Sequence, residues 1–256
     1  MHIKNKNLLV LGGKSFIAYN FLKLYPKDKT FIWTKKDLSK LDYKKASEYI
    51  KKNKIEIILN FISDNNNKPN NYNLIESFHS NSFFSLLLIE ILLNENYNFK
   101  LILFSSFEVN KLKSKSESIY GINKKYIEDI IFYVPAQKKK FIKLVKLNSV
   151  LGPGDTNFTR IIPSLIKKII LNKKIILKIN YKYFVRVDYL CNSLINFINS
   201  DNAKLTLKGK RYKILALEKL FRSYNRANSP YKDDFFFKTF IWYKNYLKAI
   251  SNSSKS

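Results

Sequence analysis

The stretch Asn7-Leu8-Leu9-Val10-Leu11-Gly12-Gly13-Lys14-Ser15-Phe16-Ile17-Ala18 passes from a short apolar run through a diglycine into a segment with apolar residues at 16, 17, 21, 22 and 24. The run suits a strand covered on both faces, and the spacing that follows is helical. Glycine at 12 allows the tight turn that joins them. Glycine at 13 lets the backbone approach an anion, and Ala18 is small enough for close helix–sheet packing, with the helix N-terminus favouring a pyrophosphate. Ser15 stands where G-x-x-G-x-x-G/A has its middle glycine, so the fingerprint is imperfect. A plain glycine turn would look similar; the strand–turn–helix context favours phosphate binding, with Gly12, Gly13, Lys14, Ser15, Phe16 and Ile17 as the contacts.

Downstream, the same alternation continues. Strands are expected over 30–34, 55–62, 100–104 and 141–147, and helices over 43–51, 74–93 and 120–133, with polar loops at 64–73 and 114–118. Short apolar strands alternating with amphipathic helices predict a Rossmann-type, doubly wound parallel α/β sheet. After the break at 151–154 the pattern changes to a helix over 161–171, strands at 174–179 and 184–187, and helices at 189–198 (with Asp188 as N-cap), 216–224 and 236–250. The expected organisation is a dinucleotide-binding domain over 1–154, joined by 183–202, and a small C-terminal substrate lobe from 155–182 and 203–250.

Among 256 residues, 47 are Lys or Arg and 19 Asp or Glu, a formal net charge of +28. Such a charge ordinarily suggests nucleic acid or an anionic membrane. Here the lysines are spread over strand ends, loops and polar helix faces, and no zinc-finger, RNP-like or GXXG signature accompanies them. The expectation is therefore no nucleic-acid partner, with the charge favouring anionic ligands such as nucleotides. Cys191 is the only cysteine, which excludes an internal disulfide and is compatible with a reducing, cytoplasmic location. The apolar stretch 83–93 is too short to span a bilayer, and His2 and His79 with one cysteine cannot make a zinc cluster.

At the end of the second strand, where an acidic residue usually serves NAD, the chain reads Trp33-Thr34-Lys35-Lys36. Lys35 and Lys36, with Lys14, suit a ribose 2′-phosphate and predict NADP. Asp42 either faces the adenine or caps the next helix. Tyr120 and Lys124, four apart, share a helix face, where the ammonium favours phenolate and so suits proton transfer. Ser106 follows a buried strand at its carboxyl end, with Ser105 as rival.

These segments together resemble the short-chain dehydrogenase/reductase superfamily, in its extended branch of NAD-dependent epimerases and dehydratases acting on nucleotide sugars. The resemblance covers about 7–200, with a weaker match at Thr239-Phe240-Ile241-Trp242-Tyr243. It implies that Gly12 to Ala18 is the cofactor loop, that Asn60, Phe61 and Ile62 line the dinucleotide, and that Asn81 supports the site. It implies a catalytic Ser106, with Tyr120-Gly121-Ile122-Asn123-Lys124 similar to the family's Tyr-Gly-x-x-Lys and Glu128 in its usual following place. Asn148 and Lys182 match substrate-side positions, Lys182 standing where an arginine often pairs with the sugar nucleotide's phosphate; a lysine there lacks the bidentate fork. The loop between Ser106 and Tyr120 is shorter than usual. Phe107 replaces the acid aspartate of the 4,6-dehydratases, with only Glu108 beside it, which disfavours elimination.

The resulting expectation is an NADP-dependent reductase of a nucleotide-linked keto-deoxy sugar. A 4-epimerase with tightly bound NAD and a non-catalytic NADP-binding protein are the alternatives. The resemblance also implies a possible homodimer through the helices at 74–93 and 120–133.

Overall fold

The computed structural model describes residues 6–39, 41–64, 73–111, 118–177, 179–226 and 234–253. His2, most of the 64–73 loop, Ser114 to Glu117 and Lys178 lie outside the described residues, as does the Lys35 side chain.

In chain order the first elements are β1 (Leu8–Leu11), α1 (Phe16–Leu22), β2 (Thr30–Trp33), α2 (Lys35–Leu38), α3 (Tyr43–Lys52) and β3 (Ile57–Asn60). Then come α4 (Leu74–Phe78), a π turn (His79–Phe83), α5 (Phe84–Asn94), β4 (Lys100–Ser106), α6 (Ile119–Tyr133), α7 (Ala136–Lys139) and β5 (Ile142–Leu147). The rest comprises β6 (Ser149–Leu151), α8 (Ile161–Ile170), β7 (Tyr181–Arg186), α9 (Val187–Asn199), β8 (Lys204–Leu207), β9 (Lys210–Lys213), α10 (Ile214–Arg226) and α11 (Phe235–Ser253).

The chain divides into two compact units, residues 1–148 with 191–208, and residues 149–190 with 209–256. The first holds a six-stranded sheet in the order β2-β1-β3-β4-β5-β8, with every pairing parallel. Each residue of β1 and β3 is buried, because helices cover both faces of these central strands. On one side Leu9, Leu11 and Ile58 pack with Ile50 of α3 and with Leu88, Ile91 and Leu92 of α5. The strand order turns at β1: the chain winds outward to β2, then returns past β1 to β3 and onward. Ligands of open α/β sheets bind at such a reversal, beyond the strands' carboxyl ends. The Rossmann-type parallel sheet is thus present.

The second unit has a three-stranded sheet, β6-β7-β9, in which β7 runs parallel to β6 and antiparallel to β9. Phe221 of α10 stacks on Phe240 of α11, and Tyr243 is fully buried with its hydroxyl donating to the Asp155 carbonyl at 2.8 Å.

Several local expectations are corrected. Residues 174–177 form no strand, β6 lies just before the glycine-proline break where no strand was expected, and β8 and β9 fall in the stretch that read as polar and irregular. The reason is length and composition: Lys204-Leu205-Thr206-Leu207 alternates over only four residues and Lys210-Arg211-Tyr212-Lys213 carries a single apolar side chain, so pairing to β5 and β7 supplies what so short a pattern cannot. Asp188 lies inside the first turn of α9 and pairs with Arg186 rather than standing before the helix as its N-cap. The helix over 74–93 is interrupted by the π turn.

Candidate active site

The turn after β1 is as tight as its two glycines suggest. Gly12 has φ +73°, its N–H donates to the Trp33 carbonyl at 3.2 Å, and the Ser15 N–H donates to the Gly12 carbonyl at 2.8 Å. A Cβ at Gly12 would lie 3.2 Å from the Ile62 nitrogen, and one at Gly13 would lie 2.4 Å from Cγ2 of Ile32. The loops after β1 and β3 therefore press together at the strand-order reversal, and neither glycine has room for a side chain. Ser15 is the N-cap of α1, its Oγ accepting from the Ala18 N–H at 3.4 Å. Serine in the glycine position thus has a local job, since it satisfies one of the orphan donors at the helix start. Phe16 and Ala18 are buried, Ile17 is half-buried and Lys14 is exposed.

Beyond β3, the buried Asn60 donates through Nδ2 to Ser85 Oγ at 3.0 Å and accepts from the Ile62 N–H at 3.1 Å, which fixes the loop. Phe61 is buried between Phe21 and Phe104, so its side chain faces the core and only its backbone remains on the loop. Asn81, in the π turn, accepts from the Asp64 N–H at 3.0 Å and donates to the Asp64 carbonyl at 2.9 Å. It too holds this loop.

At the end of β2 the sequence reading stopped one residue short. Asp37, in the first turn of α2, turns back to accept from the Thr34 N–H at 2.6 Å and the Thr34 hydroxyl at 2.7 Å. Those bonds hold its carboxyl below the usual carboxylate range. The signal was legible, because Thr34-x-x-Asp37 is the capping-box spacing. An exposed carboxylate therefore stands beside Lys35 and Lys36 at the end of β2. Lys36 is exposed in the same turn. Asp42 is the N-cap of α3, its carboxylate accepting from the Lys45 N–H at 2.8 Å and pairing with the Lys45 ammonium.

Tyr120 and Lys124 share a face of α6, the Lys124 ammonium lying 5.6 Å from the centre of the Tyr120 ring. Lys124 is 4% exposed, and among the described residues no carboxylate pairs with it. Burial pushes its pKa down from 10.5 to about 8. Ser118 starts the helix as N-cap, its Oγ accepting from the Gly121 N–H at 3.0 Å. Ser106 ends β4, and its Oγ accepts from the Glu108 N–H at 3.2 Å. A Cβ on Gly121 would come within 3.2 Å of the Glu108 carbonyl oxygen, so the turn after Ser106 lies directly against the residue that follows Tyr120. The structure thus brings the ends of β4 and α6 together. Ser105 is engaged elsewhere: its hydroxyl donates to the Glu128 carboxylate, which also pairs with Lys146 of β5 at 3.2 Å.

Asn148 donates to the Lys208 carbonyl at 2.8 Å. Lys182, half-buried on β7 opposite Tyr212, belongs to the other unit.

A family model described as "NAD dependent epimerase/dehydratase family" matches residues 8–184. No curated protein matches the chain. Among solved structures, the Bordetella bronchiseptica enzyme WbmF in complex with NAD+ and UDP is 16% identical, covering 98% of this chain and 95% of its own, with a TM-score of 0.76. The Bacillus anthracis dTDP-glucose 4,6-dehydratase in complex with NAD is 15% identical over 95% and 98%, TM-score 0.74. The Thermotoga maritima UDP-glucose 4-epimerase with UDP-glucose is 15% identical over 94% and 99%, TM-score 0.74. At these identities the likeness is one of fold. The expectation of NADP is overturned: the dinucleotide in the similar structures that hold one is NAD or NADH. Counting lysines after β2 misled because lysine is common throughout this chain.

Proposed function

The chain belongs to the NAD dependent epimerase/dehydratase family, and from that premise we propose that it is an NAD-using enzyme that inverts a hydroxyl-bearing carbon of a nucleotide-linked sugar. The observation that carries this reading is the buried Lys124, without a carboxylate partner among the described residues, one turn beyond Tyr120 on a helix whose Gly121 lies against the turn that follows Ser106. The reductase reading leaned on NADP, and it loses that support.

The residues fit a dinucleotide on three counts: the cramped Gly12-Gly13 turn, the strand-order reversal at β1, and the Asp37 carboxylate after β2. In this reading the backbone of 12–17 holds the pyrophosphate, Asp37 accepts from the adenosine ribose, and Lys124 donates to the nicotinamide ribose. NAD, when bound, supplies hydride acceptance and return. Tyr120 takes the proton from the sugar hydroxyl and returns it to that same oxygen once hydride has come back to the other face of the ring carbon, with the Lys124 ammonium beside its ring favouring the deprotonated form. Ser106 donates to the sugar oxygen as charge builds there. Elimination would want a second acid where Phe107 stands. Lys182 and Asn148 remain candidates for the sugar nucleotide.

Exposed apolar residues support a homodimer through α4 and α6. Ile75 is 84% exposed, and Phe78 and Tyr126 form a ring pair on that surface. The test of function is direct. Purified protein is assayed for bound NAD, then given sugar nucleotides without added cofactor. Interconversion of two epimers supports the reading, and stoichiometric consumption of added NADH with a keto sugar refutes it.

A further inference from the structure

The face of α6 that carries Tyr120 and Lys124 is anchored on both flanks. At about 100° per residue, Glu128 lies roughly 80° to one side of Tyr120 and Asn123 roughly 60° to the other. Glu128 is held from the sheet by Ser105 and Lys146. Asn123, 7% exposed, is held from the opposite side. Its Nδ2 donates to Ser77 Oγ of α4 at 3.0 Å. The Ser82 hydroxyl, in the π turn, lies 3.3 Å from both the Asn123 side-chain oxygen and the Asn123 carbonyl, to which it donates. Ser77 Oγ also accepts from Asn81 at 3.4 Å, so the same cluster reaches the loop after β3.

We propose that Asn123 is a positioning residue: tied to Ser77 and Ser82, it fixes the rotation of α6 and thereby the places of the Lys124 ammonium and the Tyr120 hydroxyl. The inference rests on the roles given to those two residues above. Asn123 acts through them and faces the packed side of the helix. The π turn fits such a role, since one-turn π interruptions gather at functional sites, and here it presents both Asn81 and Ser82 as buried groups. The lever is short but sufficient. At about 6 Å from the axis, a rotation of about 10° moves a side-chain tip by about 1 Å, and a misplacement of that size costs on the order of 100-fold in rate.

A purely structural asparagine would lower thermal stability and leave the folded enzyme's chemistry alone. The test therefore compares Asn123→Leu, close in volume but without donors, with Asn123→Asp, which accepts from both serine hydroxyls. Folding is checked by circular dichroism and thermal unfolding, NAD affinity by calorimetry, and kcat and KM across pH. The expected result for Asn123→Leu is kcat lower by about 10- to 100-fold with KM within about threefold, NAD binding about five- to tenfold weaker, and a shifted kcat–pH profile. Asn123→Asp should recover most of the loss. A folded Asn123→Leu whose kcat and NAD affinity both stay within about twofold of the parent overturns the proposal. Should the parent bind NAD but turn over no sugar nucleotide, the functional reading falls, and NAD affinity alone decides: weakened binding sustains the positioning role and unchanged binding ends it. Should Asn123→Leu not fold, Ser82→Ala, which removes one tie, replaces it under the same thresholds.

Discussion

Replacing Glu128 by glutamine should expose how much the anchor beneath the candidate site is worth. The carboxylate of Glu128 pairs with the Lys146 ammonium at 3.2 Å, the two side chains being 18% and 9% exposed. At an effective dielectric of about 20 a pair at this distance attracts by roughly 5 kcal/mol before desolvation, and by only about 1 kcal/mol in bulk water. Removing one partner of a fully buried pair costs about 3–5 kcal/mol, and of an exposed pair about 0.2–1. With most of the surrounding water excluded, Glu128→Gln is expected to destabilise the first unit by about 2–3 kcal/mol. Glutamine can still accept from Ser105, so the loss comes from stranding Lys146. Lys146→Met should cost about 1–2 kcal/mol, because Glu128 keeps its serine donor and some contact with water. The double variant should then sit close to Lys146→Met, giving a coupling of about 2 kcal/mol. The assay is urea unfolding in a Trp242→Phe background, where Trp33 fluorescence reports the first unit. Additive single effects, with coupling below about 0.5 kcal/mol, would show that the pair is not the anchor described.

The buried Lys124 should leave its mark on pH dependence. Its pKa falls from 10.5 unfolded to about 8 folded, so the unfolded chain binds the proton more readily between those values. Stability is full above the unfolded value and is lost as pH falls through about 8, a difference of about 3 kcal/mol. Lys124→Met should abolish this rise in urea midpoints between about pH 8 and 10 and stabilise the protein near neutrality. Glu95, which accepts from Tyr43, Ser47 and Lys51, is depressed from 4.5 to about 2, first by Lys51. Its contribution is present above 4.5 and lost as pH falls toward 2, so Glu95→Gln should flatten the acid limb of a stability–pH curve. Ser15→Ala should cost about 1 kcal/mol as a lost N-cap, whereas Ser15→Gly should cost a few tenths, measured by thermal unfolding. Gly209 has φ +73°, and a Cβ there would sit 2.4 Å from the Phe184 carbonyl oxygen. Gly209→Ala is expected to destabilise the second unit by about 3 kcal/mol or more, read from Trp242 fluorescence during urea unfolding.

Much of the first unit was written in local pattern. The apolar runs of β1, β3, β4 and β5, the diglycine after β1 and the Tyr120–Lys124 spacing are short-range signals, and each maps onto an element or a helix face without knowledge of its neighbours. Strand order, the pairing of β8 with β5 and the existence of β9 are not local, because lysine-rich strands such as β9 gain their hydrogen bonds from a partner rather than from their own period. The sequence likewise offered Lys35 and Lys36 as the mark of the cofactor, while the fold turned Asp37 back onto Thr34 at the end of β2. The support of the candidate site was the least legible part. Ser77, Ser82 and Asn123, and likewise Ser105, Glu128 and Lys146, come from separate segments of the chain. A polar residue's partners are fixed only when packing excludes water and leaves it one way to satisfy its hydrogen bonds. Sequence determined which residues could do chemistry; tertiary structure decided which of them are held still.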